Sequence, residues 1–326
     1  MDVVALGELL IDFTCVSTDA DGYPTMAAHP GGAPANFLAT LAKFGAKTAL
    51  LGKVGSDAFG KMLTETVKQA GIDTTGLVET DEIFTTLAFV TLDETGNREF
   101  SFSRKPGADT CLTFEELNLA LIDEAKVFHF GTLSLTDEPA RSATYRAVDY
   151  ARRRGKWITY DPNLRKPLWN DLTICREQML WGLSQADIVK ISDEEVEFLF
   201  GLGVAEGAEH MMQHYGVSLV FVTCGAEGCY FQNAQAKGSV PALSNIAVKD
   251  TTGAGDIFGG SAVWKLLQTG KAPQELTREK LTDIVTFACT VAGLSTTQSG
   301  GISSVPTYEM VLEKLPHEVR RTEIHA

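Results

Sequence analysis

Ala35-Asn36-Phe37-Leu38-Ala39-Thr40-Leu41-Ala42-Lys43-Phe44-Gly45-Ala46-Lys47-Thr48-Ala49-Leu50-Leu51 is the stretch on which the fold turns. Apolar residues at helical spacing run from Ala35 to Phe44, Gly45 stops them, and a β-branched and apolar strand follows over Thr48 to Leu51. The same alternation recurs on both sides. Val3 to Leu6, Val127 to Phe130, Trp157 to Tyr160, Ile188 to Ile191 and Leu219 to Thr223 read as further central strands. A helix over Ala58 to Ala70 stops at Gly71, and Thr113-Phe114-Glu115-Glu116 is a capping box that opens a helix running to Glu124. Strands that alternate with amphipathic helices predict an α/β fold: a three-layer α/β/α core around a mostly parallel central sheet. No internal repeat or linker divides the chain, so residues 1–326 read as a single domain.

Two stretches break that rhythm, from about Asp12 to Pro30 and from Thr85 to Arg104. The second holds two period-two strands around Asp93-Glu94-Thr95-Gly96-Asn97, a Gly-containing hairpin turn. A hairpin between βα units packs outside the main sheet. The expectation is a small, discontinuous β-sheet lid built from about 12–32 and 83–108, over the strand ends where open α/β sheets bind ligands. The exposed edge of such a lid favours a lid-to-lid homodimer.

Composition narrows the partners. The 326 residues carry a formal charge of −14, with 44% hydrophobic and 21% charged residues. That charge disfavours nucleic acid and anionic membrane surfaces, which demand concentrated Lys and Arg. The cluster Arg152-Arg153-Arg154 precedes Gly155 and reads as cations at a helix C-terminus. The opening Met1-Asp2-Val3-Val4 lacks the basic region of a secretory signal and no apolar run approaches bilayer length, so a cytoplasmic location is expected. Six scattered cysteines form no C-x-x-C pair and read as free, mostly buried thiols. His210 and His214 lie four apart, but Met211-Met212-Gln213 between them supplies no acid.

The chemistry concentrates in Asp250-Thr251-Thr252-Gly253-Ala254-Gly255-Asp256-Ile257-Phe258-Gly259-Gly260. Small residues leading into a helix expose backbone N–H groups at its start, an anion hole suited to phosphoryl oxygens. Asp256 then stands where a carboxylate can take the proton of an attacking alcohol. An acid at a helix start also serves simply to neutralise its dipole. A second segment, His29-Pro30-Gly31-Gly32-Ala33-Pro34-Ala35-Asn36, pairs close-approach glycines with an amide that both donates and accepts, which fits a neutral polyhydroxyl ligand or, more plainly, a turn and a helix cap. Gly45 to Lys53 has the wrong spacing for a P-loop, and Gly201 to Gly207 is one residue too long for a dinucleotide fingerprint and follows a helix.

Together and in this order, Gly31 to Gly60 (ending Gly52-Lys53-Val54-Gly55-Ser56-Asp57-Ala58-Phe59-Gly60) and Asp250 to Gly260 resemble the paired signatures of the ribokinase-like, or PfkB, carbohydrate kinases. Gly7-Glu8-Leu9-Leu10-Ile11-Asp12-Phe13, Arg98-Glu99-Phe100-Ser101-Phe102 and Tyr160-Asp161-Pro162-Asn163-Leu164-Arg165 look most like fructokinases. The resemblance implies the ribokinase-like form of the fold and a Mg·ATP-dependent transfer to fructose. Asp256 becomes the base, Gly253, Ala254 and Gly255 the anion hole, and Arg165 a phosphate contact. Asp12, Gly31, Gly32, Asn36, Asp161 and Asn163 would line the sugar site, with Phe100 and Arg104 reaching down from the lid. Thr223, Gly225, Gly228, Lys190 and Thr252 would contact ATP. Glu195 would organise Mg2+ through water, although Ser192-Asp193-Glu194-Glu195 is also a capping box and Ser192 stands where relatives often carry Asn. Asp250 and Thr252 resemble positions that hold a potassium ion. Within the same mechanism 2-keto-3-deoxygluconate, ribose or a nucleoside remain alternative acceptors, Arg104 offering a cation for the acid; a catalytically silent sugar sensor is the alternative from another class.

Overall fold

A computed structural model describes residues 1–92, 98–316 and 319–320, with backbone alone at residues 92 and 98–100. The main sheet starts with β1 (Val3–Leu6), whose residues are all buried and point alternately to opposite faces. Beyond β1 the chain leaves the sheet as a hairpin, β2 (Leu10–Thr18) and β3 (Pro24–Gly31), and returns through α1 (Ala33–Lys43) to β4 (Thr48–Gly55). Helix α2 (Ala58–Gln69) follows, then two short strands, β5 (Ile72–Asp73) and β6 (Leu77–Thr80), and a second excursion as β7 (Leu87–Leu92) and β8 (Arg98–Ser103). The rest alternates: α3 (Leu119–Glu124), β9 (Val127–Gly131), α4 (Ala140–Arg153), β10 (Trp157–Asp161), α5 (Leu172–Gln185), β11 (Ile188–Ser192), α6 (Asp193–Phe200), α7 (Val204–Tyr215) and β12 (Leu219–Thr223). A terminal hairpin, β13 (Cys229–Asn233) and β14 (Lys237–Val240), precedes α8 (Ala254–Thr269), α9 (Arg278–Ser295) and α10 (Tyr308–Lys314).

Among the described residues the main sheet runs β14-β13-β12-β11-β10-β9-β1-β4-β5, with β6 also on β4; β12 to β5 are parallel and β13 and β14 antiparallel. Burial on both faces explains why its central strands read as continuous apolar runs. Val4, Leu6, Phe128, Phe130, Ile158, Tyr160, Val189 and Ile191 face α3 to α7. Val3, Ala5, Leu50 and Val127 face α1, α2 and α8, and Ile188, Leu219 and Phe221 face α8 and α9. The three-layer expectation is met. A separate four-stranded sheet, β3-β2-β7-β8, is built from the two excursions; the hairpin turn expected at 93–97 lies outside the described residues.

Two expectations are corrected. Thr113 and Glu116 do close their capping box, the Thr113 N–H donating to Glu116 Oε2 at 2.8 Å, but the turn they cap is a single 3-10 turn over Phe114–Glu116. The other Glu116 oxygen is drawn into an ion pair with Lys53 at 2.6 Å, Leu117 turns extended to bury itself, and α3 starts afresh at Leu119. Of the six thiols, Cys175, Cys229 and Cys289 are buried, whereas Cys15 is exposed on β2; no disulfide forms among the described residues. Arg152 and Arg153 do end a helix, and Gly155 takes φ +68° just past it. His210 and His214 pack against each other on α7 with their rings tilted, centroids 4.3 Å apart, and no cluster able to hold a metal is found among the described residues. No helix among them is long and apolar enough to cross a membrane.

Helices α1 and α8 approach so closely that a Cβ on Gly260 would sit 2.5 Å from the Phe37 carbonyl oxygen and 2.9 Å from Thr40 Cβ. Backbone cannot yield as a side chain does. Gly260→Ala should therefore prise the helices apart and cost about 2 kcal/mol, the scale of overpacking a core, read as a fall of several degrees in Tm; an unchanged Tm would show that the contact has slack.

Candidate active site

Four chain crossings join the two sheets, and between them opens a cleft of about 1670 Å3. It lies beyond the carboxyl ends of the parallel strands, where such sheets gather ligands. Its lining includes Glu8, Asp12, Asn36, Asn163, Arg165, Lys190, Glu195, Asp250, Gly253, Gly255 and Asp256.

Asp256 sits in the first turn of α8, after Gly253, which takes φ +75° as the helix cap. The Asn36 amide, from α1, donates to Asp256 Oδ2 at 2.9 Å, and the Asn163 amide donates to Oδ1 at 3.4 Å. Asn163 is one of two non-glycine residues with positive φ among the described residues, at +46°, and that turn is what aims its side chain. Burial pushes the Asp256 carboxyl above the ordinary range; the Lys190 charge, the Asn36 hydrogen bond and the Arg165 charge act against that rise. A carboxylate so placed accepts a proton readily, while donors on both oxygens favour its ionised form.

Behind it Lys190 pairs with Asp161 at 3.0 Å, both largely buried. Burial raises Asp161 to about 7 against the pull of Lys190. A Cβ on Gly255 would fall 2.7 Å from Lys190 Nζ, so this glycine lets the ammonium lie against the helix start. Glu195 uses both carboxylate oxygens on backbone: Oε2 accepts from Ser192 N–H at 2.8 Å in the capping box, and Oε1 from Leu164 N–H at 2.6 Å. It thereby pins the loop that carries Asn163 and Arg165. A hard cation that keeps its waters and leans on one or two carboxylates fits Glu195 and neighbouring Glu194, both lining the cleft. The Asp250 carboxylate accepts from Thr252 N–H and Oγ1 at 2.9 and 2.7 Å and from Gly300 N–H at 3.1 Å, tying two loops at the cleft's edge.

On the other wall Asp12 lies opposite His29 across β2 and β3, and burial raises its carboxyl to about 6. A Cβ on Gly31 would stand 2.4 Å from Asp12 Oδ2; Gly32, at φ +122°, would bring one 2.4 Å from the Glu8 carbonyl. Gly32 is demanded by its backbone contact and positive φ, whereas a side chain at Gly31 would displace the Asp12 carboxyl.

The structure brings together Asp12, Gly32, Asn36, Asn163, Arg165, Lys190, Glu195, Asp250, Thr252, Gly253, Gly255 and Asp256 as cleft lining, with Gly31 and Asp161 directly behind. Others stand apart. Ala254 turns its N–H to the Thr251 carbonyl at 3.2 Å, which leaves Gly253 and Gly255 as the members of the expected anion hole that line the cleft. Thr223, level with Ser192 across β11 and β12, and the turn glycines Gly225 (φ +51°) and Gly228 (φ +103°) lie beside the cleft. Phe100 occupies β8 opposite Val90, and its side chain lies outside the described residues. Arg104 is the clear correction. Instead of reaching into the cleft it is 4% exposed, its Nη2 2.7 Å from Asp109 Oδ2 and its Nη1 and Nη2 donating to Thr136 Oγ1 and the Leu133 carbonyl. Desolvation makes an unpaired buried guanidinium too costly, so the partners take it.

Sequence reasoning also passed over Glu8, a buried cleft-lining carboxylate just past β1 whose Oε1 accepts the α1 Ala33 N–H at 2.8 Å. An acid directly after a wholly apolar strand was the available signal.

A family profile described as pfkB family carbohydrate kinase matches residues 1–308. Fructokinase-1 of Zea mays is 40% identical over 314 residues, covering 95% of this chain and 96% of that protein. Among solved structures, fructokinase with bound ATP from Xylella fastidiosa superposes with a TM-score of 0.88 at 29% identity, covering 99% of each chain. A fructokinase double mutant from Vibrio cholerae, in fructose, ADP and potassium ion bound form, gives 0.86 at 28% identity, covering 97% of this chain and 99% of that one. With the cleft, the Asp256 helix start and these full-length matches in agreement, the chain belongs to the pfkB family of carbohydrate kinases.

Proposed function

We propose that the protein is a fructokinase, transferring the γ-phosphoryl group of ATP to the 6-hydroxyl of D-fructose. The observation that carries the reading is the buried Asp256 carboxylate, bracketed by two amides at a glycine-lined helix start and facing a cleft with a polar far wall. Asp12, Glu8 and Asn36 hold sugar hydroxyls, as a carboxylate set with an amide does for a neutral polyol. The acceptor hydroxyl gives its proton to Asp256 as its oxygen attacks phosphorus in line with the departing ADP oxygen. Gly253 and Gly255, at the positive end of α8, and Arg165 stabilise charge on the transferring group. Glu195 and Glu194 would hold Mg2+ there, which would supply positive charge to the phosphates; Lys190, Thr223, Gly225 and Gly228 serve the nucleotide side. The 250–252 turn offers a potassium site, a reading supported by the potassium ion in the Vibrio cholerae fructokinase complex. The second sheet acts as a lid that excludes water. Val16 and Tyr23, 59% and 70% exposed on and beside its outer hairpin, suit a contact with a second copy.

Asp256→Asn should keep fructose binding within a few-fold and lower kcat about a thousandfold, the scale of a lost general base; ADP release with saturating fructose measures it, and near-normal turnover removes Asp256 from the mechanism. The pH profile follows with a fixed sign. The base must be ionised, so activity falls as pH drops through its raised pKa. Lys190 favours the ionised form, so Lys190→Met should push the acidic limb of kcat upward by about one pH unit; a limb that stays or moves down contradicts the assignment.

A further inference from the structure

Arg104 is the cation behind the sugar end of the cleft, and it is fully committed elsewhere. Its Nε and Nη2 grip Asp109 at 2.9 and 2.7 Å, and its remaining bonds go to Thr136 and Leu133. Asp109 is itself fixed by the Thr86 hydroxyl. Yet Arg104 stands one layer behind the cleft: Leu133, whose carbonyl it holds, lines it, and so do Ser101 and Phe102 just before it on β8. Glu8, also lining, feels the Arg104 charge. Among the described residues the acidic groups on this wall are Glu8, which burial raises to about 7, and Asp12, raised to about 6 against the pull of the Arg165 charge; the lining cations Arg165, Lys166, Lys190 and Lys249 belong to the loop after β10, to β11 and to the approach to α8.

We propose that Asp109 decides the charge of the acceptor: by closing the Arg104 guanidinium it leaves the sugar end anionic, so the enzyme takes neutral ketoses and rejects acceptors that carry a carboxylate at the end remote from the transferring hydroxyl. The inference rests on the sugar-kinase reading and concerns selectivity within it. An incoming carboxylate must be desolvated beside the acidic Glu8 and Asp12, and the guanidinium on this wall, Arg104, is already taken by Asp109, a penalty that discriminates without any added contact to fructose. Asp109 acts through Arg104 and touches no substrate.

The test compares kcat/KM for 2-keto-3-deoxygluconate with that for D-fructose, under saturating Mg·ATP, in the wild type, Asp109→Ala, Asp109→Asn and Asp109→Ala with Arg104→Ala. Freeing the guanidinium should raise the acid-to-fructose ratio in Asp109→Ala about tenfold or more, the worth of one desolvated charge contact, chiefly through KM for the acid. The double variant should lose that gain, which mere loosening of the fold would not reverse. Where the Asp109 variants do not fold by circular dichroism, Glu8→Gln, which removes an acidic group from that wall, should still lower the KM for the acid itself several-fold, a change that weaker fructose binding could not produce. An unchanged or lower ratio in the folded variants overturns the inference. A wild type that itself prefers the acid overturns the fructokinase reading instead.

Discussion

The close contact of α1 with α8 is the constraint on which the site depends. Gly260 lets the two helices meet at backbone distance, and that meeting carries Asn36 to within 2.9 Å of Asp256. The two residues are 220 positions apart in the chain. Separate the helices by one methyl group and Asp256 loses one of the partners that offset its burial. Fold stability and the Asp256 carboxyl are thus tied to one packing distance.

The second determinant is how buried charge is partnered. Lys190 with Asp161, and Arg104 with Asp109, are both ion pairs well removed from water, each tied further by hydrogen bonds. Such pairs contribute little net stability, but losing one partner strands the other. The Lys190 charge of the first pair favours the ionised form of Asp256. The second fixes the roots of β7 and β8 to the loop after β9, because Thr86, Arg104, Asp109, Leu133 and Thr136 form one network. Glu195 does the same for the loop after β10: its capping-box oxygen orders α6 and its other oxygen holds Leu164, so one carboxylate serves structure and site together.

The layered fold was legible because its signals are local. Gly45, Gly71 and Gly155 each mark a helix end with positive φ, and the apolar runs between them are the buried strands. The helix start at Gly253 to Asp256 was legible for the same reason. What sequence could not supply was the partner of each charge. Arg104 reads as a cation beside a sugar site; its capture depends on Thr136 and Leu133, some thirty residues on, and on the way Asp109 is aimed by a 3-10 turn. Glu8 was equally hidden, since its meaning comes from Ala33 across two chain crossings. The Thr113 box misled because Lys53, far back on β4, competes for Glu116.

The cleft's arrangement fits delivery of a phosphoryl group to fructose. The most direct measurement is a competition: equimolar D-fructose, ribose, 2-keto-3-deoxygluconate and adenosine with limiting Mg·ATP, the products resolved by phosphorus NMR. The transferred phosphorus should appear as fructose 6-phosphate. Phosphorus on another acceptor, on the 1-hydroxyl, or released as inorganic phosphate would contradict that role.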